Sequence, residues 1–551
     1  MMNSNWFINS VSILAQNLGI ILAILVCVSW GTLLTFASLK KILGPQFTNS
    51  EQAALALGGF PLPVLLFSVS LLALRLFLPA GLILAISLLI FVISSGLALR
   101  TVWKYISSGF VLPVFIFLFL IFIRLGFLAN VVLPPYFDSA EHYRLVQSLI
   151  RMDQIALSLP YYHLGYHVII AAFTWITNAN PGQVMLLFGQ IILAAIPLPV
   201  YFFINRTTHS NAAGWFGVTL VAFGWFMPAH AVNWGKYPAL LSMLLIQFTL
   251  GAALTKKRWL VALSMAAAVL IHSRSVILLA IFGMAWILTA VPRRKYVLLT
   301  TLTGAILGLT IVLINKNQFV GLVFEPYGIW VTLLAGLLAV SVFQSFPRQI
   351  AASLLAILLM LVGMFIPITS VLTLLDRPLV EMTLFLPLAF LGGLGSIRLP
   401  KVVLLLFVTI IIFHAWTTYS FSPSACCTLV SRDDTVALDW MNKHLPANAR
   451  VVISGADMSL DAYGLPIFGT GADAGIWVRP LTGRLILVLP YSTDFAAQST
   501  HDLLCLKKAT HIYVGGLSRS FQPGIVNEKP AWYETIFFLP NARIIMTLGC
   551  E

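Results

Sequence analysis

Long apolar stretches, broken by short turns carrying Lys, Arg, Gly and Pro, fill the chain up to about residue 420. A helix needs roughly 20 apolar residues to cross a bilayer, and runs near that length recur. The pattern predicts spans at 11–39, 55–78, 80–99, 107–130, 181–204, 212–229, 238–254, 259–272, 276–291, 297–314, 329–346, 350–367, 379–397 and 401–420. That makes about 13–14 spans, with ends uncertain by a few residues. The stretch 164–178 fits either a short span or an interfacial helix, and parity favours the interfacial reading.

Beyond residue 421 the pattern changes. Short β-type runs (450–454, 485–489, 511–514) alternate with a helical segment at 435–444, as expected of a small α/β domain. This tail holds 11 of the 18 acidic residues and four of the five cysteines, Cys426, Cys427, Cys505 and Cys550. In an oxidising compartment these can form disulfides, but sequence does not give the pairing. The fold class expected is an all-α polytopic membrane protein with a small C-terminal α/β extracytoplasmic domain. The expected division is 1–106, N-terminal transmembrane segments; 107–420, a transmembrane core with a large outer loop at 131–165; and 421–551, the soluble domain.

Composition removes the alternatives. The 551 residues are 60% hydrophobic and only 9% charged, with a mean hydropathy of +0.96; ordinary soluble domains carry about 25% charged residues. A net charge of +14 suggests nucleic acid, yet there is no basic run with interleaved aromatics. Lys40, Lys41, Arg100, Lys104, Arg206, Lys256, Lys257, Arg258, Arg293, Arg294, Lys295, Arg348, Arg398 and Lys401 punctuate the apolar runs, as cytoplasmic loops do. The first ten residues lack a basic region, so no cleaved signal peptide is expected there. A plasma-membrane multi-pass protein with its C-terminal domain outside follows.

Under that topology the first 420 residues contain seven acids, of which only Glu51 is cytoplasmic. Asp138, Glu141, Asp153, Glu325, Asp376 and Glu381 fall in outer loops or at outer helix ends. Intramembrane and interfacial carboxylates are costly and usually serve function. Five outer connections each bring ionisable groups: Asp138 and Glu141 with His142, His163 and His167, His230 and Lys236, His272 and Arg274, Asp376 and Arg377. Each group has a bland reading, such as a core histidine, a snorkelling lysine or a local charge pair.

The loop 131–165 reads Pro134-Pro-Tyr-Phe-Asp138-Ser-Ala-Glu141-His-Tyr-Arg144 and then turns helical. Asp138 or Ser139 is a candidate N-cap, and spacing of three puts Asp138 and Glu141 in one first turn. Such carboxylates can hold a divalent cation such as Mg or Mn, with His167 as a further candidate ligand, or one can act as general base. A structural capping box explains them equally well. His163-Leu-Gly-Tyr-His167 spaces two histidines by four, able to take a metal, a phosphate or a sugar, but Leu164 stands where HExxH zinc chemistry needs Glu. Lys236 in Asn233-Trp-Gly-Lys-Tyr-Pro238, Arg274 in His272-Ser-Arg274, and Arg377 in Asp376-Arg-Pro378 can grip phosphate.

As a set, these segments resemble the GT-C fold integral-membrane glycosyltransferases, the mannosyltransferase-like, glycosyltransferase-39 kind that uses polyprenyl-phosphate sugars. The resemblance rests on Phe137-Asp138-Ser-Ala-Glu141-His-Tyr143, Tyr162-His-Leu-Gly-Tyr-His167, Asn233-Trp-Gly-Lys-Tyr-Pro238, and Asp376-Arg377 before Leu386-Pro387-Leu-Ala-Phe-Leu-Gly-Gly393. The tail adds Ala437-Leu-Asp-Trp-Met-Asn-Lys-His-Leu-Pro446, Asn448-Ala-Arg-Val-Val and Asp473-Ala-Gly-Ile-Trp-Val-Arg-Pro-Leu-Thr-Gly483. Coverage is about 107–490, and each motif alone is loose. Relatives commonly have two adjacent acids where Ser139 and Ala140 intervene here, and often one span before the loop rather than about four apolar segments.

The resemblance implies hexosyl or pentosyl transfer at the outer leaflet, from a polyprenyl-phosphate-sugar donor to a glycan, lipid or protein acceptor. Asp138, with Glu141 second, would serve as base or metal ligand; His163, His167, Lys236, His272, Arg274, Asp376 and Arg377 would bind substrate. Several members of that family need no metal. The competing readings are a transporter or flippase for a lipid-linked sugar, and a membrane-anchored assembly protein. Transporters favour polar groups at the midplane, whereas the acids here sit at helix ends.

Overall fold

A computed structural model describes residues 6–43, 47–105, 108–152, 163–255, 257–290, 295, 302–304, 306, 327–368, 373–418, 423–456, 470–517, 519–522, 524 and 529–550. Asp153, Glu325 and most of the stretch expected as a span at 297–314 lie outside these residues, as do Lys256, Arg293 and Arg294. The chain divides into two compact units. One comprises Met1–Ala129, Leu149–Val232 and Lys236–Phe421; the other comprises Asn130–Ser148, Asn233–Gly235 and Ser422–Glu551.

The first unit is helical. Among the described residues, six of its helices are long and apolar enough to cross a membrane: Leu18–Leu43, Asn49–Leu74, Ala80–Trp103, Gly109–Asn130, Pro181–Thr208 and Arg377–Ser396. Eight shorter apolar helices accompany them, from Gly165–Thr177 to Lys401–Ala415. Burial varies with position. Pro181–Thr208 is 94% buried, whereas only 17% of Ala80–Trp103 is, leaving Leu88, Leu89, Ile93 and Leu97 exposed. A helix that is apolar all round and bare on most faces needs an apolar solvent.

One expectation shifts. The span expected from residue 55 begins at Asn49, because Thr48 and Glu51 form a capping box there; a cap of this kind is worth about 1 kcal/mol against Ala. In Gly165–Thr177, expected as a short span or an interfacial helix, nine residues, Gly165–Phe173 except Val168 together with Thr174, are buried within the unit.

Packing orders the helices along the bundle. At one end Lys40 Nζ donates to Asn49 Oδ1 at 2.6 Å and lies over the Tyr105 ring, Asn205 Nδ2 donates to Glu51 Oε1 at 3.1 Å, and Arg206 lies over Phe47. A Cβ on Gly393 would meet Ile204, so Arg398 and Lys401, just beyond, share this end. The helices that leave it close on a second end, where Arg75 lies over Trp175.

The second unit carries a six-stranded sheet. β1 (Arg450–Ala456) lies between two parallel neighbours, β3 (Leu485–Pro490) and β4 (His511–Gly515), and the short β2 (Thr470–Gly471) pairs antiparallel with its end. β6 (Ala542–Thr547) runs antiparallel to β4, and β5 (Tyr533–Leu539) closes the edge. Val452, Phe495, Leu504, Ile512 and Ile545 form its core. The helix Arg432–His444 starts on a Ser431–Asp434 capping box. Cys505 pairs with Cys550, and Cys426 with its neighbour Cys427.

Candidate functional site

At the second end of the helical unit, connections far apart in sequence bring ionisable side chains together. His272 ends the helix Arg258–Ile271, its amide donating to Ala268 O at 2.9 Å. Its ring meets His163 edge-on, with centroids 4.8 Å apart. Lys236 and Arg274 both lie within electrostatic reach of the same ring. Arg274 in turn pairs with Asp376 at 2.6 Å. The other oxygen of Asp376 accepts from Leu379 N at 3.1 Å and caps Arg377–Thr383. One acid therefore both starts a helix and holds Arg274.

Arg377 pairs with Glu381 one turn on, at 2.6 Å, and Glu381 is almost fully buried while Arg377 is half-exposed. The Tyr327 hydroxyl donates to the Glu381 carbonyl. His167 is buried on the next helix, packed edge-on to Tyr166, which stacks on Tyr237 at 6.0 Å. A Cβ on Gly189 would fall 2.5 Å from the Tyr237 ring, so glycine permits that close approach.

One basic group carries no motif in the sequence. Arg124, 5% exposed, donates through Nε to Gln190 Oε1 at 2.9 Å, lies over Phe127, and is within electrostatic reach of His230. His230 itself stacks on Phe226. A buried guanidinium in an apolar run is costly unless hydrogen-bonded; the signal available in the sequence was a lone Arg with no role as a loop cation. The cluster therefore contains two cations, Lys236 and Arg274, beside the rings of His163 and His272 and the carboxylate of Asp376, with Arg124 as a further cation beside His230. Such cations suit an anion with several acceptor oxygens, which guanidinium groups bind in forked fashion.

The acidic loop residues fall in the second unit. The helix there is Phe137–Arg151, which places Asp138 in its first turn, where the helix dipole favours a carboxylate. Neither Asp138 nor Ser139 is the N-cap, since helical conformation begins before both; Tyr136 precedes it at φ +66°, and Ser139 Oγ donates to Pro135 O at 2.5 Å. Three contacts within this unit hold the helix. Tyr136 N donates to Cys427 O at 2.9 Å, Tyr143 packs edge-on to the buried Trp477 at 5.4 Å, and Gly235 lies against Ser139. Gly235 has φ +65°, and a Cβ there would come within 2.5 Å of Ser139 Oγ, so the Asn-Trp-Gly motif needs its glycine twice over. Asn233 Oδ1 accepts from Ser424 N at 2.9 Å.

Glu141 is paired within its own helix. Both its oxygens are taken by Arg144, at 2.9 and 2.5 Å. Among the described residues, the one group of three metal-type ligands is His501, Cys505 and Cys550, and its two sulfurs form a disulfide.

Two buried acids in the sheet domain are Asp473, which opens one of the tail motifs, and Asp434, which lies outside them. Asp473 accepts from Gly475 N at 2.8 Å and Ser520 Oγ at 2.5 Å, and Ser520 Oγ accepts from Gly515 N at 2.6 Å. Burial pushes its carboxyl up to about 6, with those hydrogen bonds limiting the rise. Asp434 accepts from the Tyr513 hydroxyl, and burial likewise raises it. These bonds tie strand ends to flanking helices.

No protein-family model matches the chain, and no curated protein matches it either.

Proposed function

We propose that the chain is a membrane-embedded glycosyltransferase of the GT-C kind, moving a sugar from a polyprenyl-phosphate donor to an acceptor at the outer leaflet. The observation that supports this best is the meeting of Lys236, His163, His272 and Arg274 at one end of the helical unit, with Asp376 as the lone partner carboxylate of Arg274 among the described residues. The opposite end carries the basic residues of short turns, which by the positive-inside bias face the cytoplasm. The cluster then faces outward.

In this reading the donor phosphate lies against Lys236 and Arg274. The acceptor hydroxyl loses its proton to a base, the role that the resemblance gives to Asp138, its oxygen bonds to the anomeric carbon, and the carbon–oxygen bond to phosphate breaks. Polyprenyl phosphate leaves with the bonding pair, and the cations stabilise the charge it gains. Stabilising developing charge is usually the largest catalytic contribution. Asp138 takes the role of base by resemblance.

The test uses the full chain in lipid vesicles with a polyprenyl-phosphate hexose or pentose and an acceptor glycan or lipid. Release of polyprenyl phosphate is expected, and Asp138→Asn should abolish it while the protein still accumulates in membranes. Near-normal turnover by that variant would remove the proposed base.

A further inference from the structure

A separate feature lies at the basic end of the helical unit. The helix Ile329–Ser341 ends there, Pro347–Gly363 begins there, and Phe385–Ser396 ends there. Between them opens a cavity of about 670 Å³, within the roughly 300–1,000 Å³ typical of small-molecule sites. Its walls are apolar, with Phe343, Ile350 and Leu354 prominent, and its polar lining is Ser341, Gln344 and Arg398. The wall at Gly336 is open: a Cβ there would meet nothing within 4 Å.

The cations at this end are differently occupied. Lys40 is held by Asn49, Arg206 lies on Phe47, and Arg348 lies 4.1 Å over Trp286 while donating to its carbonyl. Arg398 has no carboxylate partner among the described residues, is exposed, and lines the cavity. An apolar cleft with an uncompensated arginine at a helix-end level matches one chemistry, an acyl chain attached to an anionic headgroup. Basic pockets between membrane helices on the cytoplasmic side bind such headgroups, and Arg can take a phosphodiester through two parallel donors.

We propose that this cavity is a binding site for an anionic phospholipid, its phosphate at Arg398 and one chain in the cleft toward Gly336. The proposal depends on the membrane reading of the helices and is independent of sugar transfer.

Native mass spectrometry of the detergent-purified full chain, given equal phosphatidylglycerol and phosphatidylcholine, tests it. Phosphatidylglycerol is expected to be retained about fivefold more, the value of one arginine at a lipid surface. Arg398→Gln should bring the two lipids to parity, and Gly336→Leu, which fills open space in a helix, should reduce retention of both. Equal binding by the unaltered chain, or a preference that survives Arg398→Gln, would overturn the headgroup assignment. Undiminished retention by Gly336→Leu would overturn the cleft. Arg398 is exposed, so its variant stays informative even where Gly336→Leu fails to fold.

Discussion

The two ends of the helical unit use similar residues in opposite ways. At the end holding Lys40, Arg206, Arg348 and Arg398, the first three cations are separated and settled on rings or amides, Arg398 lines its cavity, and the buried acid Glu51 serves a helix cap and Asn205. At the other end, Lys236, His163, His272 and Arg274 press on one another, and Asp376 meets Arg274 while capping a helix. Dispersed charge suits an interface with water and lipid headgroups. Two cations held near one imidazole repel by an amount that a bound anion would offset.

The largest expected effect breaks the comparison outright. Arg274→Ala should lower sugar transfer by about 10²–10³-fold, the usual cost of removing one donor to a charge that develops in the transition state. Arg206→Ala should change it by less than about twofold, because surface substitutions away from special features are nearly neutral. Equal losses in a vesicle transfer assay would mean that both ends serve folding.

Next, Arg377→Ala should weaken donor use, seen as a raised KM for the polyprenyl-phosphate sugar by about tenfold, the scale of one hydrogen bond to a charged group, with partial recovery in Arg377→Lys. An unchanged KM with lower protein yield would assign Arg377 solely to its pairing with buried Glu381.

Gly235→Ala has a smaller and purely structural expectation. The added Cβ meets Ser139 at a positive φ, which should cost about 1–3 kcal/mol and lower the melting temperature. A variant as stable as the parent would show that the acidic helix does not depend on this approach.

The smallest effect is a pH slope in the sheet domain, a contrast of a satisfied buried acid with the half-buried Asp376. Asp473 has its folded carboxyl raised from 3.8 to about 6, so the folded state holds that proton more tightly. Its contribution is present below about pH 4 and is lost as pH rises through about 6. Asp473→Asn should flatten that part of the stability curve, read from thermal unfolding of the full chain between pH 4 and 7; an unaltered slope would place the titration elsewhere.

Much of the helical pattern was legible because a bilayer-length apolar run is a strong constraint: the run expected at 80–99 is the helix Ala80–Trp103. The strand runs at 450–454, 485–489 and 511–514 are strands for a related reason, β-branched runs bounded by turns. Long-range partnership was not legible. Nothing local in Tyr143 points to Trp477, nor in Arg124 to Gln190, since both pairs depend on how distant elements pack. The pairing of Cys426 with Cys427 and Cys505 with Cys550 has the same origin. Of the candidate residues, Lys236, His163, His272, Arg274 and Asp376 meet within one unit, while Asp138 and Glu141 belong to the other. The Glu141–Arg144 pair was in view as an i,i+3 spacing, yet spacing alone does not say whether a carboxylate is paired or free.

Sided labelling tests the central claim most directly. Single cysteines placed by Asp376→Cys and Arg398→Cys, in the full chain within intact cells, are exposed to a membrane-impermeant thiol reagent. The account predicts labelling at position 376 from outside and at position 398 only after the membrane is opened. Labelling of both from the same side, or of 398 alone from outside, would contradict it.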